Sequence, residues 1–314
     1  MPLRKLERIL VAVGDPSSGV TKAIRRASAL ARGTGASIEL FNAIPASVSA
    51  GNLQAATERF TRLEAEQNAR RLEQTANRLR REELIVTTKV QTGYAVHEAL
   101  LREVRTAGAD LLVIEAHKHN IFARLLLTQT DFELIRHCPV PLLIVKRRAA
   151  WHRPHVLAAL DPFHAHDKPL GLDREIARAA HSVAAAVRGS VYAAHVYPPP
   201  RGFAPDMSVG VAGSALEQED RKYRAAVRRH FSGAVARCGI ARNKARLVCG
   251  DPAADLPVVA RSMRAALIVM GAVSRSGLKR IFIGSTAERA LDSFTCDVLV
   301  VKPRQPASLS SSPR

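Results

Sequence analysis

Residues 266–303 read ALIVMGAVSRSGLKRIFIGSTAERALDSFTCDVLVVKP, a strand, a glycine-bearing loop, a helix and a strand, and the rest of the chain is ordered around them. Leu267 to Met270 is an apolar run, long enough for a buried strand and too short for a helix. Gly271 closes it, and the loop to Gly284 carries Arg275, Lys279 and Arg280 among small residues. Ser285 or Thr286 supplies an N-cap, and Glu288 is placed to pair back to Ser285 as a capping box. Ala287 to Phe294 has helical spacing, Val298 to Val301 is a second buried strand, and Pro303 ends the unit. A loop running from a strand's carboxyl end to a helix N-terminus offers unpaired N–H groups and the positive end of the helix dipole. It therefore suits an anion, a phosphate above all, and glycines let that anion come close to the backbone. Gly271 and Gly284 stand thirteen residues apart, the spacing of neither a Walker loop nor a dinucleotide-binding turn.

Working outward, the same order of elements occurs twice. In the first half the reading is strand Arg8–Val13, helix Thr21–Arg32, strand Ser37–Ile44, long helix Leu53–Glu83 and strand Ile85–Gln91. Helix Tyr94–Thr106, strand Leu111–Glu115, helix Thr130–Arg136 and strand Pro141–Lys146 complete it. In the second half His155–Leu160, Asp173–Val187, Ser190–Tyr197, Ala215–Arg237, Arg246–Gly250 and Asp255–Arg264 take the corresponding places before the stretch quoted above. The halves end alike, in HCPVPLLIVKRR and TCDVLVVKPR, so a repeat of about 155 residues organises the chain. Alternating strands and helices predict an α/β fold, a doubly wound parallel five-stranded sheet in each half. Ligands of such sheets bind at the carboxyl ends of the strands, at the switch in strand order.

Here the chain resembles a family. Gly271, Ser274, Gly284 and Ser285 match the universal stress protein signature G-x2-G-x9-G-[ST], with Ser274 where the family's nucleotide binders have a second glycine. Met270, the run STAERAL and the run CDVLVVKP are similar to that family too, and over residues 6–304 the chain looks like two of its domains in tandem. The resemblance implies a flavodoxin-like, Rossmann-like domain twice, residues 1–149 and 150–304, packed as an intramolecular pseudo-dimer, with 305–314 a disordered Ser/Pro-rich tail. It implies a non-catalytic, cytoplasmic stress-response protein. It also implies a nucleotide-binding set for ATP in the second half: Asp161 near base and ribose, Val196 meeting adenine through its backbone, and Met270, Gly271, Ser274, Gly284, Ser285 and Thr286 around the phosphates. The first half departs from the motif. Glu115-Ala-His-Lys-His-Asn-Ile-Phe-Ala-Arg-Leu-Leu-Leu-Thr-Gln-Thr holds no glycine, and Glu115 at the strand end would repel a phosphate.

The chain's 314 residues suffice for two such domains. With 47 Lys+Arg against 28 Asp+Glu the net charge is +19, which admits nucleic acid or an anionic membrane as partner. No long basic run or aromatic-rich basic strand concentrates that charge, so the reading spreads it over exposed helix faces. A nucleic-acid binder would show a steep loss of affinity with salt. No secretory segment or run of about 20 apolar residues is present. The four cysteines lack CxxC spacing and read as free thiols of a reduced compartment. His164, His166, Asp161 and Asp167, and separately His117 and His119, offer metal-ligand types on loops; no metal is expected of them, since zinc needs three or four converging ligands. No GxSxG elbow or Ser/His/Asp set appears. Three readings follow: first, a sensor binding ATP or a related anionic small molecule in the second half; next, a structural or interaction module with no nucleotide; last, a basic nucleic-acid binder. Protein partners, and a homodimer of the tandem chain, are left open.

Overall fold

The computed structural model describes residues 6–46, 54–116, 127–163, 171–200, 213–272 and 290–303. Strands β1 (Arg8–Ala12), β2 (Ser37–Ile44), β3 (Val86–Thr92), β4 (Leu111–Glu115) and β5 (Leu142–Val145) come from the first half. They alternate with helices α1 (Lys22–Thr34), α2 (Gln54–Arg80), α3 (Val96–Thr106) and α4 (Gln129–His137). Strands β6 (His155–Ala159), β7 (Ser190–Tyr197), β8 (Ala245–Cys249), β9 (Ala265–Gly271) and β10 (Asp297–Val301) come from the second half. Helices α5 (Leu172–Ala186), α6 (Gly213–Arg237) and α7 (Pro252–Ser262), with a helical turn at 290–293, accompany them. Local chemistry sets several of these ends. Thr21 Oγ1 caps α1 by accepting from Ile24 N, and Gly35 ends it at φ 75°. Thr128 and Asp131 close a reciprocal capping box on α4. Asp251 caps α7 ahead of Pro252.

All ten strands form one sheet in the order β3-β2-β1-β4-β5-β10-β9-β6-β7-β8. Every neighbouring pair is parallel except one, the antiparallel β5–β10 pair that joins the halves, with Leu143 opposite Leu299. The repeat predicts five strands twice; the fusion of both sets into one sheet is a finding of the structure. Its cause is legible afterwards. LLIV of β5 and DVLVV of β10 are buried at every position, and each would otherwise be an unpaired apolar edge. Side chains alternate between two cores, as a strand's period of two requires. Ile9, Val11 and Val13 point to the layer of α1, α2, α5 and α6, whereas Leu10 points to the layer of α3, α4, α7 and 290–293. Each core contains residues of both halves, so the apolar interior is continuous across the seam.

Polar groups tie the seam together. Asp297 is fully buried; its carboxylate accepts from Arg26 Nε at 2.7 Å and from the backbone N–H groups of Lys146 and Arg147 at 2.8 and 2.9 Å. Arg26 also donates to Ala149 O at 2.6 Å, and its guanidinium lies 4.8 Å from the Trp151 ring centroid. Two lysines reach across reciprocally. Lys146 Nζ donates to Leu291 O and Phe294 O, and Lys302 Nζ to Arg136 O and Cys138 O, each binding carbonyls at the end of a helix of the other half. Burial pushes both ammonium groups down, Lys302 to about 8.

Candidate functional site

In each half the strand order switches between the first and fourth strands, which in the second half are β6 and β9. Asp161 follows β6, Met270 and Gly271 end β9, and Val196 lies near the end of the adjacent β7. The structure thus gathers four of the predicted positions on one edge. Ser274, Gly284, Ser285 and Thr286 lie outside the described residues, as do the cap and first helical turn expected there. His117, His119, His164, His166 and Asp167 lie outside them too, and the described residues contain no group of three metal-ligand side chains.

Val196 is placed by its ladder. Ala194 O accepts from Leu160 N on the β6 side, and Tyr197 O accepts from Gly250 N on the β8 side. Parallel strands alternate in this way, so Val196 turns its peptide groups to the β6 side, past the last residue of that strand. Asp161 is half-buried, and its backbone N–H donates to Asp173 Oδ1 at 3.0 Å, which pins the turn to the first turn of α5. Gly271 continues β9 rather than ending it before the loop, paired with Val301. A Cβ there would lie 2.6 Å from Leu172 Cδ2, so any side chain at this position would have to displace Leu172, which packs α5 over the strand end.

Aromatic side chains surround this edge. His195 is buried, with Nδ1 2.9 Å from Leu160 O. Its ring lies about 6 Å from those of Phe163, Phe231 and Tyr197, and Phe163 lies 5.1 Å from His230. Burial, then the neighbouring Cys249, raises the Tyr197 hydroxyl above its usual range. The sequence reading missed this group; the density of aromatics in SVYAAHVY was the available signal.

The first half fills the matching edge from within. Glu115 forms an ion pair with Lys22 at 3.5 Å and accepts from Ala23 N at 3.4 Å. The carboxylate therefore sits at the α1 N-terminus, where a bound anion would sit. Lys22 Nζ also donates to Ala116 O and Lys146 O. Asp15 is held by Ser17 and Ser18, whose hydroxyls and the Ser17 N–H lower its carboxyl below the usual range. Asn42, at the place of His195, donates to Val13 O and accepts from Asn68.

This edge and its tandem repetition place the chain in a class known from elsewhere. The family profile described as "Universal stress protein family" matches residues 5–146 and 155–302. The chain belongs to the universal stress protein family. Among curated proteins it is similar to universal stress protein E of Escherichia coli, 29% identical over 218 residues, covering 66% of this chain and 65% of that one. Universal stress protein E of Photorhabdus laumondii is 30% identical over 216 residues, 66% of each. The matched segment thus spans just under two thirds of those relatives' length. Among solved structures, a functionally unknown Pseudomonas aeruginosa protein shares the fold with TM-score 0.73 at 24% identity, covering 95% of this chain and 93% of that one. A universal stress protein from Archaeoglobus fulgidus has TM-score 0.62 at 14% identity, covering 94% and 98%. Among the described residues no helix is long and apolar enough to cross a membrane.

Proposed function

We propose that this chain is a non-enzymatic, cytoplasmic stress-response sensor whose second half binds ATP or a related anionic small molecule at the strand ends. The observation that carries the reading is Val196. Its peptide groups face the gap beyond β6 at the switch in strand order, beside Asp161, where a purine edge can pair with backbone. Gly284 and Ser285 would cradle the phosphates, with Ser274, Thr286 and Met270 flanking them, and Asp161 would meet the ribose. The first half takes no nucleotide in this reading, because Glu115 and Lys22 occupy each other. Occupancy of the second half alters the loops, and protein partners respond to that change.

Leu172 over Gly271 favours a second reading, an interaction module whose strand end is closed by its own helix. Thermal denaturation with and without ATP, beside mass spectrometry of small molecules released on unfolding, separates the two. The sensor gives a saturable rise in midpoint, on the order of RT ln(1 + [L]/Kd), that Gly284→Val removes. No shift with any nucleotide and nothing released leaves the interaction module.

A further inference from the structure

A cavity of about 280 Å³ lies between α6 and the edge strand β8, reaching from Ala245 and Leu247 up to Tyr197 at the end of β7. In the corresponding place of the first half, side chains bridge helix and strand. The bonds Val13 N to Phe41 O and Leu160 N to Ala194 O equate Phe41 with Ala194. The registers then equate Thr88 on β3 with Ala245 on β8. The buried pattern Leu72, Thr75, Ala76 on α2 recurs as Phe231, Ala234, Val235 on α6, which equates Glu73 with Ser232. In the first half Glu73 accepts from Thr88 Oγ1 at 3.0 Å and from the Arg80 guanidinium, while Arg80 also donates to Val86 O at 2.8 Å. That network closes the space between helix and strand. In the second half Ser232 and Ala245 replace the plug with two small side chains, and α6 ends before any counterpart of Arg80.

What lines the opening is specific. Phe231 and Val235 are buried at its floor beside Leu247, an apolar surface. Arg228 and Arg242 stand at its rim, and among the described residues no carboxylate pairs with either. Arg224, the third arginine, is held by Asp220 at 2.6 Å. An apolar floor under two guanidinium groups matches a molecule with an apolar body and one anionic head. Inorganic phosphate would leave the floor to water, and a neutral ring would leave the guanidinium forks unmatched.

We propose that this cavity is a second binding site, distinct from the strand-end site, for a small amphipathic anion: one ring or a short chain bearing a phosphate or carboxylate. The volume, about 280 Å³, lies just below the range of about 300–1,000 Å³ for ligand pockets, which limits the guest to that size.

Calorimetric titration of the full chain with phenyl phosphate and phenylacetate tests it, with inorganic phosphate and benzyl alcohol as probes of head and body alone. Phenyl phosphate is expected to saturate and to bind roughly tenfold or more tightly than either half-probe. Excess ATP should leave that binding intact. Ser232→Glu, which restores the first half's acid, should weaken it by roughly tenfold or more. The double variant Arg228→Ala with Arg242→Ala, at two exposed positions, should do the same and carries the test if Ser232→Glu does not fold. No saturation up to about 10 mM overturns the proposal. So does equal binding by the double variant, or displacement of phenyl phosphate by ATP.

Discussion

A methyl group on residue 271 would press on Leu172 Cδ2 and Cγ, 2.6 and 2.9 Å from the new carbon. Gly271→Ala should therefore destabilise the chain by about 1–3 kcal/mol. Leu172→Ala added to it should recover part of that loss, as a double-mutant cycle in denaturant would show; additive losses would refute the packing account. Glu39 makes a prediction about pH. Burial, reinforced by the charge of Glu103, pushes its carboxyl up to about 7 from 4.5. The folded state thus holds a proton between those values that the unfolded state has released, and stability falls as pH rises from about 4.5 to about 7. Glu39→Gln should be the more stable form at pH 8 and lose its advantage near pH 5, measured by urea midpoints at both. Residue types of this kind are visible in a sequence, but their neighbours are not. The resemblance to the family pointed to Asp161, Val196, Met270 and Gly271, and the alternation of elements put them at strand ends. The Leu172 contact could not be read in this way, because it depends on where α5 lies.

Helices and strands were the most legible scale. The predicted strand Leu111–Glu115 and the predicted Ser190–Tyr197 coincide with β4 and β7, and most other ends fall within one to three residues. Ends differ where a cap or a tertiary bond intervenes: α7 starts at Pro252, three residues before the predicted Asp255, because Asp251 caps it. Crossings between helices were not legible. A Cβ on Gly33, in the last turn of α1, would stand 1.9 Å from the carbonyl oxygen of Ala186 at the end of α5. The obstacle is backbone, so a helix must move. Gly33→Ala should cost about 3 kcal/mol or more, despite alanine's better helix propensity, and lower the melting midpoint. An unchanged or raised midpoint would mean that α1 and α5 do not pack this closely.

The two halves behave as one molecule because of the β5–β10 seam and the charges within it. Asp297→Ala leaves the Arg26 guanidinium buried without its carboxylate and removes the acceptor for two backbone N–H groups. The expected cost is about 3–5 kcal/mol. Calorimetry should show a lowered transition that broadens or divides as the halves uncouple, and an unmoved single peak would contradict it. The Cys296 thiol beside this seam is pushed up to about 12 by burial, and Cys138 is raised by the same cause, so alkylation at pH 8 should reach exposed Cys249 first. The amino-acid sequence by itself determined the alternation of elements, the repeat, the family and the unequal loops of the halves, because period, caps and glycine positions are local in the chain. Only the tertiary structure decided that ten strands make one sheet, that Glu115 and Lys22 fill the first edge, and that Ser232 and Ala245 open a cavity in the second half. Those outcomes rest on contacts between residues up to 271 positions apart, as for Arg26 and Asp297, and no local pattern encodes which buried partners meet.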